Sequence, residues 1–185
     1  MDKFQTFIFQ YKSIFKAVKT TRSDGLKIQR AALDILKLKD LGQLRDKFEG
    51  ELFYKKFTRM MLAEIALEKL LNISFIDWQT KSAVRNLPSE LQYEGVDVRI
   101  NVVDFNEYPV YIDEQPGKAE IFCIKKGDDT IFICGIASID VLNRHSSPIK
   151  YPTPLTVGKK EFTGFQNLIP ISAFEDIKRA VAAAL

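Results

Sequence analysis

The sequence predicts an α/β protein: a mixed central sheet flanked by helices, preceded by an N-terminal helical extension over residues 1–50 and carried by a domain over 51–185. Three observations predict it. The first of the seven prolines is Pro88, and residues 1–87 hold only Gly25, Gly42 and Gly50 as breaks, so the first half reads as helices. Beyond Pro88, short apolar runs alternate with turn residues, as strands do. Two of those runs, Ala119–Ile124 and Thr130–Ile136, are apolar at nearly every position, which predicts strands central in a sheet with both faces covered.

The elements follow in chain order. Helices are expected near 2–21, 26–38, 40–49 and 51–72. The first carries Phe4, Phe7, Ile8, Tyr11, Ile14, Phe15 and Val18 at helical spacing, with Lys12 and Lys16 among the cations beside them, a stripe that serves a core or a dimer face. Strands are expected over 89–93, 96–103, 108–113, 118–125 and 130–136, with Pro116-Gly117 and Gly127-Asp128-Asp129 as turns. Glu120 interrupts the first doubly apolar run and needs a partner. A short helix near 138–144 comes next, then a proline-bearing loop over 147–160 and a last strand over 161–169. Ser172 and Glu175 form an S-x-x-E capping box for a closing helix with Phe174, Ile177, Val181 and Leu185 inward.

Composition bounds the function. With 46% apolar and 28% charged residues in 185, the chain has what a folded domain needs to bury roughly 70% of its unfolded surface. No apolar run approaches the ~18 residues of a membrane span. Lys3, Gln5 and Gln10 interrupt any signal-peptide core. Cys123 and Cys134 sit in apolar strand-like runs without zinc-type spacing, so they are expected as reduced core thiols and the chain as cytoplasmic. The net charge of +3 divides unevenly. Residues 1–80 carry 15 Lys/Arg against 10 Asp/Glu, and residues 81–185 carry 12 against 14. A basic half beside an acidic half suits a nucleic-acid ligand and a bound cation, and equally suits ordinary solvated faces. No G-x-G-x-x-G or Walker lysine is present, which leaves nucleotide binding unsupported. The single histidine, His145, lies where a helix ends and is expected as a helix-terminal group. Ser146 and Ser147 beside it lack a nucleophile-elbow motif.

The chemistry concentrates in ELQYEGVDVRINVV, residues 90–103. After Gly95, Val96, Val98, Ile100 and Val102 alternate with Asp97, Arg99 and Asn101, so one strand face is apolar and the other carries an acid beside a guanidinium. Glu90 lies seven residues earlier, across the glycine. Two acids and a base on adjacent strands can hold a divalent metal and face a scissile phosphate; an amphipathic hairpin with a solvated polar face uses the same pattern. A third acid is placed by helical geometry. Stepping 100° per residue puts Phe53, Phe57, Met60, Met61, Leu67 and Leu71 within about 60° of Glu64. A carboxylate amid an apolar stripe must be paired, protonated or on a metal. A salt bridge to Arg59, Lys69 or Arg99 would satisfy it as well as a site would.

Taken together, AEIALEKLLNI (63–73), YEGVDVRI (93–100), IFCIKKGDDTIFICGIASIDVL (121–142) and EFTGFQNLIPIS (161–172) occur in an order that resembles the PD-(D/E)XK, restriction-endonuclease-like nuclease superfamily, in particular small endonuclease-like proteins of phages and restriction systems. The resemblance covers about residues 55–175. It implies a restriction-endonuclease-like sheet and a Mg²⁺-dependent hydrolase that cuts DNA, dimeric so that two sites meet two strands. It also implies Glu90 and Asp97 as Mg²⁺ ligands with Glu64 as the helix acid at the metal or its water, and Arg99 where the family has lysine. A relocated lysine, Lys81 or Lys118, is the natural substitute, because a guanidinium is a poor proton acceptor. The alternative is a degenerate member that binds DNA or a protein partner without cutting.

Overall fold

A computed structural model describes residues 3–11, 14–44, 48–105 and 110–182. Lys12, the expected strand start at 108 and Leu185 fall outside them. The protein is a mixed α/β fold around a five-stranded sheet. The strands are β1 (Lys16–Lys19), β2 (Glu90–Tyr93), β3 (Val96–Asp104), β5 (Glu120–Lys126) and β6 (Thr130–Ala137), in the order β1-β6-β5-β3-β2. β3 and β5 run parallel, and the other pairs are antiparallel. The two doubly apolar runs are inner strands, as their composition predicts. A second sheet of β4 (Val110–Asp113), β7 (Ser146–Pro148) and β8 (Lys159–Phe162) is ordered β4-β8-β7.

Each face of the main sheet has its own core. Val96, Val98, Ile100, Ile121, Ile131 and Ile133 pack against α2 (Arg22–Leu36), α3 (Phe48–Leu71) and α6 (Phe174–Ala182). Phe122, Ile124 and Cys134 turn the other way, onto Val110, Ile112, Phe162 and Phe165, with Phe7 and Leu142 from α1 (Lys3–Tyr11) and α5 (Ile139–Arg144). The second face is therefore covered chiefly by a small sheet, where helices were expected on both. Cys123 and Cys134 belong to opposite cores, and burial pushes both thiols up.

α3 is the central helix, about 36 Å long at 1.5 Å per residue, and every residue from Met60 to Leu67 is buried. It is wedged between α2 and the sheet, so even its non-stripe positions meet protein. Its C-terminus turns because Glu68 accepts from Phe75 N and Ile76 N at 2.7 and 2.9 Å. The short α4 (Trp78–Ala83) follows, capped by Asp77 on Gln79 N and Thr80 N.

The N-terminal segment departs from the helical extension expected of residues 1–50. The helix expected over 2–21 stops at Tyr11, and residues 16–19 form β1, paired Lys16↔Ile133 to Lys19↔Thr130. Local periodicity yields here to an open sheet edge, which offers the backbone a hydrogen-bonded partner. Phe7, Tyr11, Ile14 and Phe15 still share one core, with Phe7 5.2 Å from Phe165. α2 begins before Gly25 because Thr21 and Asp24 make a reciprocal capping box. Ile28, Ala31 and Ala32 then join the α3 core, so this segment is built into the domain. Among the described residues, the third helix expected over 40–49 is replaced by a 3₁₀ turn, Leu41–Leu44, and the first residues of α3. The strand expected over 161–169 ends at Phe162. Ile169 returns to bridge Ile136, and a Cβ on Gly135 would come within 2.7 Å of Ile169 O. Glycine at 135, at φ +131°, permits that approach. The acid that caps the closing helix is Asp176, accepting from Ser172 N and Ala173 N, one residue past the expected Glu175. No helix among the described residues is long and apolar enough to cross a membrane.

Candidate functional site

The hairpin β2–β3 sets the site. Its turn is two residues, Glu94 and Gly95, both at positive φ (45° and 78°), the type I′ geometry that matches strand twist. It fixes the pairs Tyr93↔Val96, Gln92↔Asp97, Leu91↔Val98 and Glu90↔Arg99. Because Leu91, Val98 and Ile100 are in the α3 core, Glu90, Asp97, Arg99 and Asn101 all point to the opposite face. A one-residue slip would bury them. β5 enters parallel to β3, with Arg99 N bonded to Ala119 O at 3.0 Å. That contact stations Lys118 beside Asp97 and Glu120 beside Arg99.

Two charge clusters result on this face. In the first, Lys118 Nζ donates to Glu90 Oε1 at 2.8 Å and to both Asp97 oxygens at 2.9 Å. The Asp97 side chain is 50% exposed, that of Lys118 27% and that of Glu90 17%, so the group meets solvent on its Asp97 side. Burial works against the Lys118 ammonium, but hydrogen bonds to Asp97 and Glu90 outweigh it and hold its pKa above the usual lysine value. In the second cluster, Arg99 donates to Asp113, which also accepts from Lys159, and stands 3.6 Å from Glu120 Oε1. Glu120 is 1% exposed and accepts from Asn101 Nδ2 at 3.1 Å, which supplies the partner its position demanded. Burial drives the Glu120 carboxyl up. Burial also opposes the Asp113 charge, yet the hydrogen bonds from Arg99 and Lys159 leave its pKa lowered.

Glu64 does not stand with these groups. It lies on α3, on the other face of the sheet, with Oε1 accepting from Lys81 Nζ at 2.7 Å and from Ser89 Oγ at 2.9 Å. Ser89 precedes Glu90 and so faces the opposite way. Burial raises the Glu64 pKa despite Lys81, and Oε2, fully buried, has no hydrogen-bond partner among the described residues. The expected metal triad of Glu64, Glu90 and Asp97 is thus divided by the sheet into a pair and a single acid. Among the described residues, no group of three or more His, Cys, Asp or Glu side chains is placed to hold a metal. Arg99 also sits elsewhere than the resemblance implies, on Asp113 and Glu120. Lys118 occupies the place beside the two acids. Lys81, the other relocated lysine, belongs to Glu64. Asp113 and Lys159 escape a reading by motif because they reach the cluster from the small sheet, and Asn101, on the polar face of β3 as expected, meets Glu120 through strand pairing. His145 is the C-cap of α5, its N–H on Val141 O.

Beyond Arg99 the polar face opens into a cleft of about 1370 Å³, bounded by α3, the ends of β3 and β5, and the loop before β8. No protein-family model matches the chain, and neither a curated protein nor a solved structure does.

Proposed function

We propose that the chain is a Mg²⁺-dependent phosphodiesterase acting on DNA, of the restriction-endonuclease-like type, in which Glu90 and Asp97 hold the ion and Lys118 takes the place of the motif lysine. One observation carries it: two carboxylates on neighbouring strands share a single cation, Lys118 Nζ, within 2.9 Å of both, with the Asp97 carboxylate half exposed. The donor set fits Mg²⁺, which is commonly held by one or two carboxylates, with waters and substrate phosphates completing its shell. Bound there, the ion would supply charge to the phosphate and lower the pKa of water.

The chain's own groups then divide the work. Glu90 and Asp97 bind and orient, since the type I′ turn leaves their strands one register. Lys118 Nζ is kept protonated by these two acids, so its first role is electrostatic, placing positive charge where the phosphate gains negative charge. With the acids on another cation, what raises its pKa would be gone, and Nζ would more readily give up its proton and serve as an acceptor from water. Arg99 is a positioning residue that joins β3 to Asp113 and Glu120. Two strands of DNA require two such sites, hence two copies of the chain.

A second reading, binding without cutting, is favoured by the position of Glu64 behind the sheet and by the commitment of Arg99 to carboxylates. Incubation with long mixed genomic DNA, which contains most short recognition sequences, separates them. Cleavage in Mn²⁺ or Mg²⁺, reduced about 10²–10³-fold in Lys118→Met, supports the phosphodiesterase. Intact DNA under every metal, with the chain still bound to it, supports the second reading.

A further inference from the structure

The cleft beyond Arg99 has a chemistry of its own. Its lining includes the cations Lys55, Lys56 and Arg59 from one wall, and Lys125 and Lys159 from the other, against the acids Asp104 and Asp128. Among the described lining residues cations outnumber acids, with Lys55 paired to Glu51, Lys159 to Asp113, and Arg59 and Lys125 both near Asp104, at 3.2 and 3.5 Å. β3 and β5, the parallel pair, both end here, in the register pair Asp104↔Lys125; the crevice at the carboxyl ends of parallel strands is where open α/β sheets bind ligands. The volume of about 1370 Å³ exceeds the ~300–1,000 Å³ of a small-molecule site, which favours a polymer. The rim is apolar and exposed. Tyr151 is 78% and Leu155 91% accessible, on the loop that closes the cleft, and Lys150 Nζ lies 5.4 Å from the Tyr151 ring centroid.

We infer that this cleft binds a single-stranded polynucleotide, its phosphates on the two cationic walls and a base stacked on Tyr151. Cations lining a channel, with an exposed aromatic ring at the lip, suit unpaired bases, because each base presents a π-face that a duplex keeps stacked inside. An acidic peptide would use the cations and make no stacking use of the ring. The inference rests on the nucleic-acid reading above but not on cleavage. Asp97 lies seven residues before Asp104 on β3, about 23 Å away at 3.3 Å per residue, so a strand lying in the cleft occupies a separate stretch from one meeting Lys118.

The test is fluorescence anisotropy of the full chain with a labelled twelve-nucleotide oligothymidylate in EDTA, where no divalent metal supports cutting. The single strand is expected to bind more tightly than a duplex of the same length. Affinity is expected to fall about tenfold in Tyr151→Ala, within the range for removal of one base stack. The Lys55→Ala/Lys56→Ala variant should flatten the slope of log affinity against log salt by about 1.4, since each phosphate neutralised on a single strand accounts for about 0.7. Tighter duplex binding, an unchanged affinity in Tyr151→Ala, or equal competition by poly-glutamate would each overturn the inference. Binding in EDTA with no cleavage in Mn²⁺ keeps the cleft and removes the phosphodiesterase; cleavage in Mn²⁺ with no binding in EDTA does the reverse.

Discussion

Two lysine–carboxylate sites lie on opposite faces of the same hairpin, and they differ in what surrounds them. Glu64 is fully buried, and Lys81, its partner, has a side chain only 12% exposed. Glu90 and Asp97 meet Lys118 at the rim of the other face, with Asp97 half exposed. The same ion-pair chemistry thus serves two ends. A buried pair is costly to open, because either charge left alone stays desolvated. A rim pair opens cheaply, and its carboxylates are available to another cation. Burial, more than residue type, decides which acid another cation can reach.

Removing each lysine in turn should expose the difference. Lys81→Met is expected to destabilise the fold by about 3 kcal/mol, the lower end for breaking a buried pair, read as a lower urea midpoint. Lys118→Met should cost no more than about 1 kcal/mol, as exposed pairs do. Equal losses would show that the two sites are energetically alike and that the rim pair is a structural strut.

The pH dependence of stability sharpens the contrast. Burial raises the Glu64 pKa above its ordinary 4.5. Below that value the group is protonated in both folded and unfolded chains. As pH climbs past it, the unfolded chain loses its proton first, the folded chain binds more protons, and stability falls. Glu64→Gln should remove this downward slope, and Glu120→Gln should act in the same sense, since burial raises that group too. Asp113 has the opposite sign. Its pKa is lowered from 3.8, so its contribution is present above that pH and lost as pH falls below it. Urea midpoints from pH 3 to 7 for wild type and the two glutamine variants measure both.

Arg99→Lys is expected to have a similarly small effect. Lysine keeps the charge near Asp113 and Glu120 but loses the planar fork, for a loss of about 1 kcal/mol in the same urea assay. It should bring no gain in cleavage, because Lys118 already stands at the acids. A tenfold rise in cleavage would place residue 99 in the reacting site and contradict the division between the two charge clusters.

Much of this arrangement is legible in the residues. Alternation in VDVRINVV sets which side chains share a face, and the Glu94-Gly95 turn with its positive φ angles sets the register. The wheel of α3 puts Glu64 amid apolar groups, and its burial follows from that; its partner is Lys81, while the expected Arg59, Lys69 and Arg99 stand at Asp104, Asp24 and Asp113. The lysines Lys81 and Lys118 can be named as substitutes from sequence. Which acid each serves cannot, because it depends on which face Ser89 and Ala119 turn toward. Convergence of three acids fails for the same reason: a helix acid and a strand acid meet only if both face the same side of the sheet, and periodicity within each element is silent on that. β1 is illegible for another reason. Lys16–Lys19 continue a helical stripe, and only the edge of β6, over a hundred residues later, makes them a strand.

The central claim is that the rim pair, and not the buried acid, holds a divalent metal. Isothermal calorimetry with Mg²⁺ and Mn²⁺ on wild type, Asp97→Ala, Glu64→Gln and Lys118→Met tests it directly. Wild type is expected to bind one ion, Asp97→Ala none, and Glu64→Gln one ion at unchanged affinity. Lys118→Met should bind more tightly, since the ammonium that competes for the same oxygens is gone. No heat of binding in wild type, or binding lost in Glu64→Gln and retained in Asp97→Ala, would contradict the account.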